Sequence, residues 1–213
     1  MRIADNGPHV TTRPPAPPMN RSRTPPPPAR PPGVVRIIGG EWRGTRLPVA
    51  GRDGLRPTSD RVRETLFNWL QPILPGARVL DLFAGTGALG LEAVSRGASE
   101  AVLVERDPQL ADGLRELAAK LPGGERIRVV CADALTWLQA APDGFDLAFV
   151  DPPFAADLWA PALAALDSRL AASAWLYVES PRGPVATPGP TWRLHREGET
   201  REVRYALYRR GQA

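Results

Sequence analysis

From residue 78 onward, short apolar runs alternate with amphipathic stretches along the chain. Arg78–Phe83, Ala101–Glu105, Ile127–Cys131, Phe145–Val150 and Trp175–Glu179 read as strands. Between them, Leu89–Arg96, Gln109–Leu121, Leu135–Gln139 and a segment within Leu158–Leu170 repeat apolar positions at helical spacing. Strands that are apolar on both faces predict a parallel sheet covered by helices on each side. The end of the chain differs. Thr191–Arg196 and Val203–Arg209 flank Glu197-Gly198-Glu199 and predict an antiparallel hairpin. No internal repeat is evident.

The N-terminal third follows another pattern. Val34–Ile38 predicts a strand, Gly39-Gly40 a turn and Trp42–Val49 a returning arm. Thr58 or Ser59 can then cap a helix with Val62, Leu66, Trp69 and Leu70 on one face, ended by Pro72 and Pro75. Arg61 and Arg63 fall off that apolar face. Residues 1–33 hold 11 of the 25 prolines and few large apolar residues, which predicts a disordered or polyproline-like tail. The expected organisation is a tail over 1–33, a basic hairpin and helix over 34–76, and an α/β domain over 77–213. Five βα units closed by a hairpin are the layout of a class I methyltransferase: Rossmann-like, mostly parallel, with a C-terminal antiparallel hairpin.

Composition narrows the function classes. The single cysteine, Cys131, excludes an internal disulfide; it reads as a small buried residue. With only His9 and His195, distant in sequence, there is no zinc-binding cluster. No apolar run reaches membrane-span length, and Met1–Val10 lacks the apolar centre of a secretory signal. A cytoplasmic, metal-free protein is expected. The net charge of +4 is unevenly spread: residues 1–63 carry 12 arginines against 4 acids. That end suits a polyanion. Arg36, Arg43, Arg46, Arg56, Arg61 and Arg63 are candidate phosphate contacts, and Trp42 among them is a candidate platform for an unpaired base. Tyr205, Tyr208 and His195 read as structural.

Two motifs carry chemistry. The first predicted strand runs into Asp81-Leu82-Phe83-Ala84-Gly85-Thr86-Gly87-Ala88-Leu89-Gly90, whose glycines let backbone approach a ligand at the sheet's C-terminal edge. Its Gly-x-Gly-x-x-Gly spacing also matches a dinucleotide fingerprint, but Asp81 would face a pyrophosphate unfavourably. An acid there suits the cationic amino group and sulfonium of S-adenosylmethionine (SAM). Glu105, ending the second strand of the α/β region, can accept both ribose hydroxyls, a contact SAM and NAD share. Asp133-Ala134 would border an adenine ring, Asp133 serving either as adenine acceptor or as helix cap. Asp107 reads as a cap.

The second motif, Asp151-Pro152-Pro153-Phe154, ends an apolar strand. The amino group of a nucleobase is a poor nucleophile because its lone pair is delocalised into the ring. Asp151 and the Pro152 carbonyl can accept its two hydrogens and favour a pyramidal nitrogen. The prolines, Pro153 included, stiffen the loop, and Phe154 can stack on the ring. An NAD enzyme has no evident use for this tetrapeptide.

In these motifs the chain resembles the RsmD family of bacterial 16S rRNA (guanine-966-N2)-methyltransferases. The resemblance rests on Arg36-Ile37-Ile38-Gly39-Gly40-Glu41-Trp42-Arg43-Gly44, on Leu55 through Leu70, on Asp81 to Ser95 and on Asp151 to Phe154, and it covers residues 34 to about 210. It implies a monomeric, SAM-dependent enzyme acting on 16S rRNA in the small subunit or an assembly intermediate. SAM contacts carry over to Asp81, Gly85, Gly87, Glu105 and Asp133, with Phe83 and Ala134 beside them; amino-group contacts carry over to Asp151 and Pro152. Two departures stand out: Thr86 replaces the commoner serine, and no asparagine occurs near Leu117–Lys120. The rival readings are an adenine-N6 or protein-amide methyltransferase, a non-catalytic ribosome-assembly factor that keeps the fold, and an NAD-dependent enzyme.

Overall fold

A computed structural model describes residues 34–48, 59–183 and 187–211. Seven strands form one sheet in the order β5-β4-β3-β6-β7-β9-β8. Strands β3 (Arg78–Asp81), β4 (Glu100–Glu105), β5 (Ile127–Cys131), β6 (Phe145–Val150) and β7 (Leu170–Pro181) run parallel. β9 (Val203–Arg210) pairs antiparallel with β7, and β8 (Trp192–Glu199) antiparallel with β9. The parallel strands alternate their side chains between two cores. Val79, Leu103, Leu147, Phe149 and Tyr177 point to one; Leu80, Val104, Ala148, Val150 and Val178 point to the other. That double burial is why these runs are apolar throughout.

Helices α1 (Asp60–Leu70), α2 (Ala88–Ser95) and α3 (Pro108–Ala118) cover the first face; α4 (Ala134–Leu138) and α5 (Trp159–Leu166) cover the second. Ser59 caps α1, its Oγ accepting from Val62 N–H at 3.4 Å. Asp107 caps α3, accepting from Gln109 and Leu110 N–H with Pro108 in the first turn. The chain leaves β3 for one side of the sheet and β6 for the other, so a crevice opens between their C-terminal ends.

The N-terminal hairpin is shorter than expected: β1 (Val34–Arg36) pairs with β2 (Arg46–Pro48), and Ile37–Thr45 forms the connection. That connection is fastened to α2. Glu92, fully buried, accepts from Ile38 N–H at 2.7 Å, Gly39 N–H at 2.8 Å and Arg96 Nε at 2.6 Å. Ser95 Oγ donates to Gly39 O at 2.6 Å and accepts from Trp42 N–H at 2.9 Å. Gly40, at φ 78°, sits so close to the Ser95 carbonyl that no Cβ fits. Val35, Ile37, Trp42 and Leu47 share one core with α1, α2 and the sheet, so packing is continuous across the expected boundary at 76/77.

Several residues differ from their sequence-based reading. Arg63 was expected off the apolar face of α1, yet its side chain is 0% exposed. It donates to Arg36 O at 2.9 Å and to Asp60 Oδ1 at 2.7 Å, with Glu92 Oε2 at 3.8 Å from Nη1. The buried carboxylate of Glu92, invisible to helical periodicity, is what admits it. Trp42 is not a platform for a base. It is buried, donates from Nε1 to Pro122 O at 2.8 Å and has the Arg126 guanidinium over its ring. Cys131 is exposed, because β5 is an edge strand. His195 is also exposed, its ring edge-on to Trp175, whereas Tyr205 and Tyr208 lie in the core. Arg56 and the 1–33 segment lie outside the described residues.

Candidate active site

The crevice between β3 and β6 deepens into a cavity of about 840 Å³, a size that accommodates a nucleoside cofactor with a second ring beside it. Its floor is made by strand ends. Asp81 closes β3, Glu105 closes β4, Asp151 follows β6, and Glu179 lies near the end of β7; all four line the cavity. The crevice lies outside the carboxyl ends of the parallel strands, so a polar side chain there meets the ligand space.

Asp81 is 3% exposed, and its Oδ2 accepts from Gly90 N–H at 2.9 Å. Burial pushes its pKa up to about 7; the Gly90 bond opposes that rise and the nearby Glu105 charge adds to it. A buried acid under such strain is suited to a cationic ligand. Glu105 Oε2 accepts from Gly85 N–H and Oε1 from Asp107 N–H, both at 2.8 Å. These bonds fix the carboxylate while each oxygen keeps a second lone pair for a ligand hydroxyl. Gly85 and Gly87 take positive φ, 53° and 74°. A Cβ on Gly87 would come within 2.5 Å of Leu114 Cδ2, so the loop lies flat on α3 and leaves the cavity open. Phe83, Gly85, Asp133 and Ala134 line the cavity beside Asp81 and Glu105; Gly87 shapes the turn and heads α2 without lining it.

Both readings of Asp133 have a counterpart. It caps α4, with Oδ1 accepting from Thr136 N–H and Oγ1 at 2.9 and 3.0 Å, and it also borders the cavity. The backbone bond from Thr136, chiefly, holds its pKa below the usual carboxylate value. Further round the wall stand Asp151, Pro152, Pro153 and Phe154. Pro152 is buried, Asp151 half-buried, and Phe154 is 39% exposed with its ring 5.9 Å from Trp159. An aromatic left out of the core at the mouth of a cavity is available for stacking.

Sequence reasoning missed part of the wall. Ser59 and Val62 at the start of α1 and Thr200–Val203, from the β8–β9 turn to the start of β9, also line the cavity. These segments are far apart in sequence, and only folding brings them to one cavity. Glu179 was legible: it is an acid ending a parallel strand, the pattern that singled out Asp81, Glu105 and Asp151. Of the candidate phosphate contacts, Arg36, Arg43, Arg46 and Arg61 are exposed, and Arg63 is not.

The sheet order, the glycine turn beneath a strained acid and the ribose-suited Glu105 define a class I SAM-dependent methyltransferase. Residues 35–209 match the family described as Conserved hypothetical protein 95. The ribosomal RNA small subunit methyltransferase D of Escherichia coli K12 is 46% identical over 181 residues, covering 84% of this chain and 91% of the relative. The protein of the same name from Haemophilus influenzae is 42% identical over 182 residues, covering 83% and 94%. The solved yhhF protein of E. coli superposes with a TM-score of 0.76 at 45% identity, over 85% of this chain and 100% of that chain. The chain belongs to the RsmD family of methyltransferases.

Proposed function

We propose that the protein methylates the exocyclic N2 of guanine 966 in 16S rRNA, within the small ribosomal subunit or its assembly intermediate, acting as a cytoplasmic monomer. The observation that carries the acceptor half is the Asp151–Phe154 wall, which lies in the same cavity as Asp81 and Glu105. When bound, SAM supplies an electrophilic methyl group; Asp81, Glu105, Asp133 and the Gly85 turn are the residues to hold it. The acceptor base is drawn out of its stack into the pocket, as enzymes that modify a base require. Phe154 supports the ring. Asp151 and the Pro152 carbonyl accept the two N2 hydrogens, which directs the nitrogen lone pair toward the methyl group. The methylated nitrogen is strongly acidic, so its proton leaves readily to Asp151 or water, and no strong base is needed. Positioning supplies most of the rate. Among the described residues no group of three or more His, Cys, Asp or Glu side chains is arranged to hold a metal ion, and the proposed step uses none.

The test is methyl transfer from labelled SAM to under-methylated small subunits, followed by mapping of the label. Label on N2 of guanine 966 is expected, and Asp151→Ala should reduce turnover by at least about 100-fold while SAM affinity changes little. Label on an adenine amino group or on protein would replace the acceptor. Tight SAM binding without transfer would favour the assembly-factor reading.

A further inference from the structure

Glu179 belongs to none of the motifs that define the site, yet it stands among them. It is 5% exposed, lies on β7 next to β6, and lines the cavity with Asp151 and Pro152. Val150 pairs with Val178, so Asp151 and Glu179 follow in register at the ends of adjacent parallel strands. Such strands run about 4.8 Å apart. Phe149 and Tyr177, two residues earlier on each strand, meet edge to face with centroids 6.0 Å apart. By strand alternation Glu179 points to that same side, and Asp151 lines the same cavity. The Glu179 carboxylate is also held in place. Its Oε2 accepts from the buried Tyr177 hydroxyl at 2.8 Å, and its backbone carbonyl accepts from Trp159 Nε1 at 2.8 Å. A carboxylate fixed this way is an acceptor whose position is set before the ligand arrives.

We propose that Glu179 is a specificity-determining residue of the acceptor pocket: its carboxylate accepts the N1–H of guanine while Asp151 and the Pro152 carbonyl take the hydrogens of N2. This inference rests on the guanine-N2 reading above. Its chemistry is a matter of donors and acceptors on one purine edge. Guanine presents N1–H and N2–H side by side, two donors for two acidic neighbours. Adenine, and any purine with a bare N1, turns a lone pair toward Glu179. A buried carboxylate facing a lone pair gains no hydrogen bond from it and is repelled by it, and rejection of this kind is stronger than what a merely apolar pocket achieves. Tyr177 acts as a positioning residue, since it touches the acceptor only through Glu179.

The test compares two acceptors in the same RNA. Small subunits are reconstituted with guanine or with 2,6-diaminopurine at the target nucleotide. The analogue keeps the 2-amino group and replaces the N1–H donor by a lone pair. Wild-type enzyme is expected to favour guanine by about 10- to 100-fold in kcat/KM. Glu179→Gln, whose side chain can offer either an acceptor or a donor, should narrow that ratio to within about threefold, with SAM affinity and the thermal transition close to wild type. Tyr177→Phe should narrow the ratio partially through loss of the orienting bond. Equal losses on both acceptors in Glu179→Gln, or an unchanged ratio, would overturn the assignment. Should Glu179→Gln fail to fold, Tyr177→Phe decides, and an unchanged ratio there overturns it. Wild-type enzyme that places no methyl on guanine N2 refutes the function itself, an outcome read before any variant is compared.

Discussion

At the scale of single residues, Asp81 couples ligand binding to pH. Its pKa is about 7 in the folded, ligand-free protein against an ordinary value of 3.8. Between those values the native state holds a proton that the unfolded chain has released, so stability falls as pH rises from about 4 to 7. The full effect is on the order of a few kcal/mol. Asp81→Asn removes it: the variant should melt higher than wild type at pH 8, with the gap closing toward pH 5, in thermal scans without ligand. A cation prefers the ionised carboxylate, so SAM binding must expel this proton at low pH. Wild-type affinity for SAM should drop as pH falls from 8 to 6, and Asp81→Asn should bind more weakly with that dependence gone. A parallel pH slope in the variant, measured by calorimetry, would assign the titration to another group.

At the scale of elements, the N-terminal hairpin is fixed by one buried acid. Glu92 takes two backbone N–H groups of the hairpin connection and pairs with Arg96, while Arg63 spans Glu92, Asp60 and the Arg36 carbonyl. Removing one member of such a cluster strands the others without water. Arg63 Nε and Nη1 are already buried without a hydrogen bond, so the cluster has little spare capacity. Glu92→Ala should cost about 3–5 kcal/mol in denaturant unfolding, and the Ile38 and Gly39 amides should lose hydrogen-exchange protection first. Uniform destabilisation with those amides still protected would show that the apolar contacts of Ile37 and Leu47 hold the hairpin unaided. The first turn of α1 lines the cavity, so the same cluster ties the basic segment to the site.

At the scale of the whole molecule, charge is separated from chemistry. Arg36, Arg43, Arg46 and Arg61 are exposed on the hairpin and α1, and no described residue forms an ion pair with them. Four acids, Asp81, Glu105, Asp151 and Glu179, instead meet in the cavity at or near the strand ends. Exposed cations on a segment bonded to α1, whose first turn lines the cavity, are available to the backbone of an RNA while one base enters. Arg43→Glu with Arg46→Glu should weaken RNA binding and lower the log–log salt slope by about 0.7–0.9 for each phosphate that is no longer neutralised. An unchanged slope in filter-binding titrations would move the RNA-binding surface elsewhere on the molecule.

Much of the architecture is written along the chain. Apolar strands, helical periodicity and turn residues are local signals, and they yielded the order of βα units and the closing hairpin. Asp81, Glu105 and Asp151 were also legible, because the C-terminal ends of parallel strands in an open sheet face a crevice whatever the helices do. Burial of individual polar residues was not. Arg63 and Trp42 look like surface binding groups by type and neighbourhood; only the approach of Glu92, Pro122 and Arg126 from distant segments turns them inward. Cys131 escaped burial for the converse reason, since nothing local to β5 says that it will be an edge. The sequence by itself thus determined the fold and the placement of acids at the strand ends, where local pattern and backbone geometry suffice. Tertiary structure alone decided which arginines meet solvent, that α1 and the β8–β9 turn line the cavity, and that Glu179 stands in register beside Asp151, because each depends on segments that only folding brings together.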